Sequence, residues 1–178
     1  VGGHPVEWMG LALLRGEGAV GVFEEPVGIE GRLALLELRI RHLADELAVA
    51  GVRGAVGSTT VAVNLALQLA DVSRSYVALV DLHLRGGTAA MMLGARPGSG
   101  MRAALEEPDR VDALFLDRVG IPVDERVRLF AAEEPWETEP HPSEEGMKRL
   151  LMTLRQRFNS IVVDMPMPPN AAEKRHIG

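Results

Sequence analysis

The residues of this chain best suited to chemistry gather at one glycine-bearing loop and two aspartates. The loop runs Gly51-Val52-Arg53-Gly54-Ala55-Val56-Gly57-Ser58-Thr59-Thr60. Small residues between a buried strand and the start of a helix turn backbone N–H groups and the positive end of the helix dipole toward an anion, so the loop is a cradle for phosphate oxygens. A standard phosphate loop has lysine where Ser58 stands, and the strict pattern is therefore not met. Thr59 supplies a hydroxyl for a magnesium ion. Asp81 and Asp164 each close an apolar run, and carboxylates at the carboxyl ends of parallel strands are suited to hold magnesium directly or through its water. His83 follows Asp81 by two residues. Singly, these features also fit a turn and two polar strand ends. Together they describe a site for a phosphorylated ligand and Mg2+.

The surrounding pattern is what such a site needs. The run from Leu47 to Ala50 has strand character, and Thr59 to Leu69 follows as a helix with Val61, Leu65 and Leu69 on one side. Residues 76–82 are predicted to form a buried strand ending at Asp81, residues 98–118 a helix-rich connection, and residues 127–132 a third strand. An acidic, proline-bearing loop at 133–142 leads into an amphipathic helix at 143–158, started by Ser143 and Gly146, and a buried strand at 160–164. Strands alternating with helices imply an α/β fold, a doubly wound and mostly parallel sheet. Upstream, residues 19–23 predict a short strand and residues 32–47 show helical spacing. The chain stops soon after Asp164, where further strands are expected, so the domain reads as incomplete at its carboxyl end. Met91, Met92 and Leu93 are read as packing residues.

Composition narrows the function classes. The chain has 178 residues, 47% hydrophobic and 25% charged, the range of a globular protein with one core. A net charge of −6 argues against coating nucleic acid, and no specific nucleic-acid partner is expected. The absence of cysteine excludes disulfides and thiolate metal sites and fits a reducing, cytoplasmic location. No apolar run approaches the roughly 20 residues that span a bilayer. The histidines (His4, His42, His83, His141, His176) are scattered without close ligand spacing, and no transition-metal site is expected from them.

Arg53-Gly54-Ala55-Val56-Gly57-Ser58-Thr59-Thr60 with Val61-Ala62-Val63-Asn64 resembles the deviant Walker A loop of the ParA/MinD superfamily, in its CpaE/TadZ-like pilus-assembly branch. Residues 79–88 resemble the first switch of that branch, 108–118 and 129–135 its middle region, and Ile161-Val162-Val163-Asp164-Met165-Pro166 its Walker B strand and second switch. The likeness covers about residues 47–169. It implies a P-loop NTPase-like fold with ATP and Mg2+ as cofactors. Gly54, Ala55, Val56, Gly57, Ser58, Thr59 and Thr60 would line the phosphates, and Thr59, Asp164 and Asp81 would serve the metal. Arg53 stands where relatives place a lysine that reaches across a nucleotide-sandwiched dimer. Asp81 and His83 would serve hydrolysis, which the Ser58 and His83 substitutions make slow at best.

The resemblance further implies a homodimer that works with pilus or secretion assembly machinery or a polar landmark protein, at the cell pole or the inner-membrane face. Relatives carry a receiver-like domain ahead of the ATPase. Residues 1–45 accordingly read as the end of such a unit plus a linker helix, and 46–178 as the nucleotide-binding domain. Glu25 replaces the lysine of working receivers, so phosphorelay is not expected. The alternatives are a ParA-type partitioning ATPase and a scaffold that binds no nucleotide.

Overall fold

The computed structural model describes residues 11–15, 18–22, 46–51 and 57–166. They form one seven-stranded sheet in the order β2-β1-β3-β7-β4-β6-β5. The strands are β1 (Leu11–Arg15), β2 (Gly18–Val22), β3 (Glu46–Gly51), β4 (Val77–Asp81), β5 (Ile121–Pro122), β6 (Val127–Phe130) and β7 (Ser160–Met165). The helices are α1 (Ser58–Ser73), α2 (Ala89–Met92), α3 (Gly100–Glu106), α4 (Ala113–Val119) and α5 (Glu144–Arg155), with a 3-10 turn at Pro108–Arg110.

The centre of the sheet is parallel, β3-β7-β4-β6. Its strands are short and apolar because both faces are covered, and alternate residues go to opposite cores. Val77 and Leu79 face one layer with Val49, Leu129 and Val162, against Ala62, Leu65, Ala66 and Leu69 of α1. Ala78 and Val80 face the other with Phe130, Ile161 and Val163, against Met101 and Leu105 of α3, Leu116 of α4 and Leu150 and Leu154 of α5. The predicted doubly wound α/β sheet is thus found. Its strand order carries β3 through α1 to β4 across a gap that β7 later fills, bringing the last strand between the first two of the parallel set.

Several expectations change in detail. The strand expected at 19–23 is β2, and it is joined to the sheet by a strand that was not expected, β1, which pairs antiparallel with both β2 and β3. Two strands of the first 45 residues therefore share the sheet of residues 46–166. The helix expected over 32–47 lies outside the described residues except for Glu46 and Leu47, which belong to β3. β5 is a two-residue edge strand, antiparallel to β6, where a proline is tolerated because no inner ladder needs its missing N–H. Met91 and Met92, expected to pack, are 75% and 43% exposed. α2 has only four residues, and it is Ala89 and Ala90 that it turns into the core.

No helix among the described residues is long and apolar enough to cross a membrane.

Candidate functional site

The parallel centre brings the predicted residues to one end of the sheet. β3 ends at Gly51, and the chain re-enters the described region at Gly57, which caps α1 in the left-handed conformation with φ 81°. A side chain is rarely tolerated there, which accounts for glycine. No side chain caps α1, and its first turn carries no acidic residue. The Val61 N–H bonds the Gly57 carbonyl, and no side chain among the described residues caps the N–H groups ahead of it. Ser58 and Thr59 are half-buried in this first turn and Thr60 is exposed. Arg53, Gly54, Ala55 and Val56 lie outside the described residues.

Asp81 and Asp164 are directly paired neighbours on β4 and β7. Both are buried, at 1% and 0% exposure. Asp81 is satisfied from its own loop: the backbone N–H of His83 donates to Oδ1 at 2.9 Å, and His83 Nδ1 lies 2.9 Å from the same oxygen. Neither carboxylate oxygen of Asp164 has a hydrogen-bond partner among the described residues. Thr59 is near enough to favour its charged form without completing a bond of good geometry. His83 Nδ1 lies 3.6 Å from Asp164 Oδ2.

The electrostatics follow from this crowding. Burial, more than any other cause, raises the Asp164 pKa, and the charge of Asp81 adds to it; Thr59 and the His83 ring pull the other way. The hydrogen bond to Asp81 raises the His83 pKa most, with the charges of Asp81 and Asp164 adding and burial opposing. Two buried carboxylates side by side are unfavourable unless a cation joins them. The donor set of carboxylates and the Thr59 hydroxyl is of the hard-oxygen type that Mg2+ takes, and the orphaned oxygens of Asp164 fit such an ion.

Sequence reasoning missed the packing that holds this loop. Gly87 has no room for a side chain: a Cβ there would lie 2.7 Å from Asp81 Oδ2 and from the His83 carbonyl. Trp136, 75% exposed, lies over Gly86. Its ring takes the Arg85 guanidinium at 5.8 Å, and its carbonyl accepts from Arg85 at 3.2 Å. The backbone N–H of Glu134 bonds the Leu84 carbonyl, while its buried carboxylate approaches Arg102 Nε at 3.1 Å. The acidic loop is thereby tied to the segment carrying His83. The adjacent glycines at 86 and 87 were the sequence signal for a close approach.

No family model matches this chain, and no curated protein sequence is similar to it. Solved structures are. The chain resembles a ParA family ATPase from Chlorobium tepidum TLS, with a TM-score of 0.59 and 22% identity over 72% of this chain and 53% of that one. It also resembles the kinase domain of the Escherichia coli tyrosine kinase ETK, with a TM-score of 0.60 and 21% identity over 78% of this chain and 54% of that one. The chain spans about half the length of each. Its architecture, a mostly parallel sheet wrapped by helices on both faces, is the α/β fold of these ParA-like P-loop proteins.

Proposed function

We propose that the chain binds ATP with Mg2+ and acts as a nucleotide-controlled assembly or localisation factor, in the manner of the CpaE/TadZ-like branch that serves Flp pilus biogenesis. The observation that carries the nucleotide reading is the convergence of a helix start at Gly57 that no side chain caps with two buried, paired strand-end aspartates, one of them without a hydrogen-bond partner among the described residues. The pilus assignment rests on the motif resemblance.

In this reading, residues 53–60 hold the phosphates, and Thr59, Asp164 and Asp81 hold the ion, which when bound neutralises phosphate charge. Arg53 supports a homodimer across the nucleotide, and the assembled dimer meets the pilus machinery or a polar landmark at the cytoplasmic side of the inner membrane. Asp81 and His83 serve hydrolysis, which is slow. Serine at position 58 lacks the charge that a lysine would bring to the phosphates, and the His83 ring nitrogen is already engaged by Asp81 at 2.9 Å. The boundary after residue 45, between a receiver-like end and the nucleotide-binding domain, follows the motif resemblance and not the sheet, which both segments share.

Calorimetric titration of Mg·ATP tests this reading, with Thr59→Ala and Arg53→Ala alongside. Saturable binding weakened by both substitutions is expected. Heat absent up to millimolar ATP sinks the proposal and favours a scaffold without nucleotide, a reading that the His83 ring beside both aspartates also suits.

A further inference from the structure

We infer that Asp81, His83 and Asp164 form a binding site for a first-row transition dication of the Mn2+, Co2+ or Zn2+ type, and that this site fills without nucleotide. The inference goes beyond the ATP reading: it shares Asp81 and Asp164 with it but requires neither a phosphate ligand nor the glycine loop.

Each of the three residues offers one ligand atom, and these atoms all lie within 4.8 Å of one another. His83 Nδ1 stands 2.9 Å from Asp81 Oδ1 and 3.6 Å from Asp164 Oδ2. Neighbouring ligands about 2.1 Å from a shared ion are separated by roughly 3 to 3.5 Å; the two distances bracket that range, so a small shift that trades the ring's hydrogen bond to Asp81 for an ion makes the nitrogen an adjacent ligand to both carboxylates. The approach is built into the backbone. The N–H of His83 is fixed on Asp81 Oδ1, and the bare Cα of Gly87 lets the loop close behind Asp81.

Asp164 is the member of the cluster best suited to take a cation. It is fully buried, and both of its oxygens are without a partner among the described residues. The nitrogen decides which cation. Mg2+ takes oxygen ligands in near-ideal octahedra and keeps much of its water, whereas imidazole suits Zn2+ and its transition-metal neighbours. With His83 where an all-oxygen set would have a third carboxylate, the preference moves away from Mg2+. His83 is 29% exposed, so the site has an open side through which an ion and its remaining water pass.

The test is titration of the nucleotide-free full chain with Co2+, read by visible absorption. Because the chain has no cysteine, thiolate bands do not interfere and the d–d bands report nitrogen and oxygen ligands. A saturable spectrum, displaced by Zn2+ but not by a large excess of Mg2+, is expected. His83→Gln should weaken Co2+ binding by at least about tenfold, while His141→Ala, at an exposed histidine outside the cluster, leaves the spectrum unchanged. His83→Asp should keep a cation but lose the discrimination against Mg2+. A Co2+ spectrum identical in wild type and His83→Gln, or Mg2+ displacing Co2+ as readily as Zn2+ does, overturns the inference. Circular dichroism of each variant separates loss of the site from loss of the fold. A chain that takes Co2+ but no Mg·ATP keeps this inference and loses the proposed function; the reverse result does the opposite.

Discussion

The helices α1 and α5 begin in opposite ways. α5 opens on Ser143, whose Oγ accepts from the Gly146 N–H at 2.9 Å, with Glu144 and Glu145 in the first turn. The serine also anchors outward, since its hydroxyl and backbone N–H both donate to the Leu105 carbonyl. Here capping and negative charge complete the helix from within the chain. α1 opens on a left-handed glycine, with no side-chain cap and no acid. A start capped by a side chain serves stability; a start without one, beside a buried aspartate that accepts no hydrogen bond among the described residues, is available to a ligand.

The sharpest test of the finished end is Gly146→Ala. A Cβ there would overlap the backbone carbonyl of Leu105, so α5 must move off α3. A loss of about 3 kcal/mol is expected, seen as a fall in Tm of roughly 10 °C; an unchanged Tm would mean the two helices can separate freely.

At the unfinished end, Asp164→Asn should raise stability without ligand by about 2 kcal/mol, because it removes a charge that burial disfavours and whose oxygens accept no hydrogen bond among the described residues. The same variant should lose any rise in Tm on adding Mg·ATP. Thermal melts with and without Mg·ATP measure both effects, and a destabilised variant would show that the carboxylate is already satisfied.

Ser58→Lys places a charge where the cradle lacks one and should tighten Mg·ATP binding about tenfold, the equivalent of 1.4 kcal/mol, a typical scale for a charge-assisted hydrogen bond. Calorimetry would detect it.

Truncating the two serines compares the helix starts directly. Ser143→Ala should cost about 1 kcal/mol of stability through the lost cap. Ser58→Ala should cost nearly nothing, because no side chain caps α1. Equal losses in chemical denaturation would erase the distinction.

The smallest effect concerns pH in the loop leading to α5. Glu106 accepts the backbone N–H of His141 at 2.8 Å, the largest cause of its lowered pKa; Arg102 adds to it and burial opposes it. Its contribution is therefore present above the ordinary value of 4.5 and is lost as pH falls through the lower folded value. Glu106→Gln should reduce the slope of Tm against pH on that acid limb and leave the slope at neutral pH alone.

Much of this architecture was legible. The continuous apolar runs at 77–80 and 161–163 marked strands covered on both faces, and Ser143 marked a helix start before its partner was known. β1 was not legible: Leu11-Ala12-Leu13-Leu14 is too short to separate strand from helix by periodicity. The two-residue connection Gly16-Glu17 before Gly18 was a hairpin signal that went unread. Met91 and Met92 were misassigned because helical spacing fixes which residues share a face but not which face, in a helix this short, meets the core.

The sequence by itself determined the alternation of strands and helices, the glycine that must start α1, and the placing of an aspartate at the end of each of two strands, since all of these follow from propensities acting over a few residues. Only the tertiary structure decided that those two strands are neighbours. Strand order and register arise from burying both faces of the sheet at once, a condition on the whole chain. It sets Asp81 against Asp164, leaves the Asp164 oxygens without a hydrogen bond among the described residues, and brings the His83 ring to both.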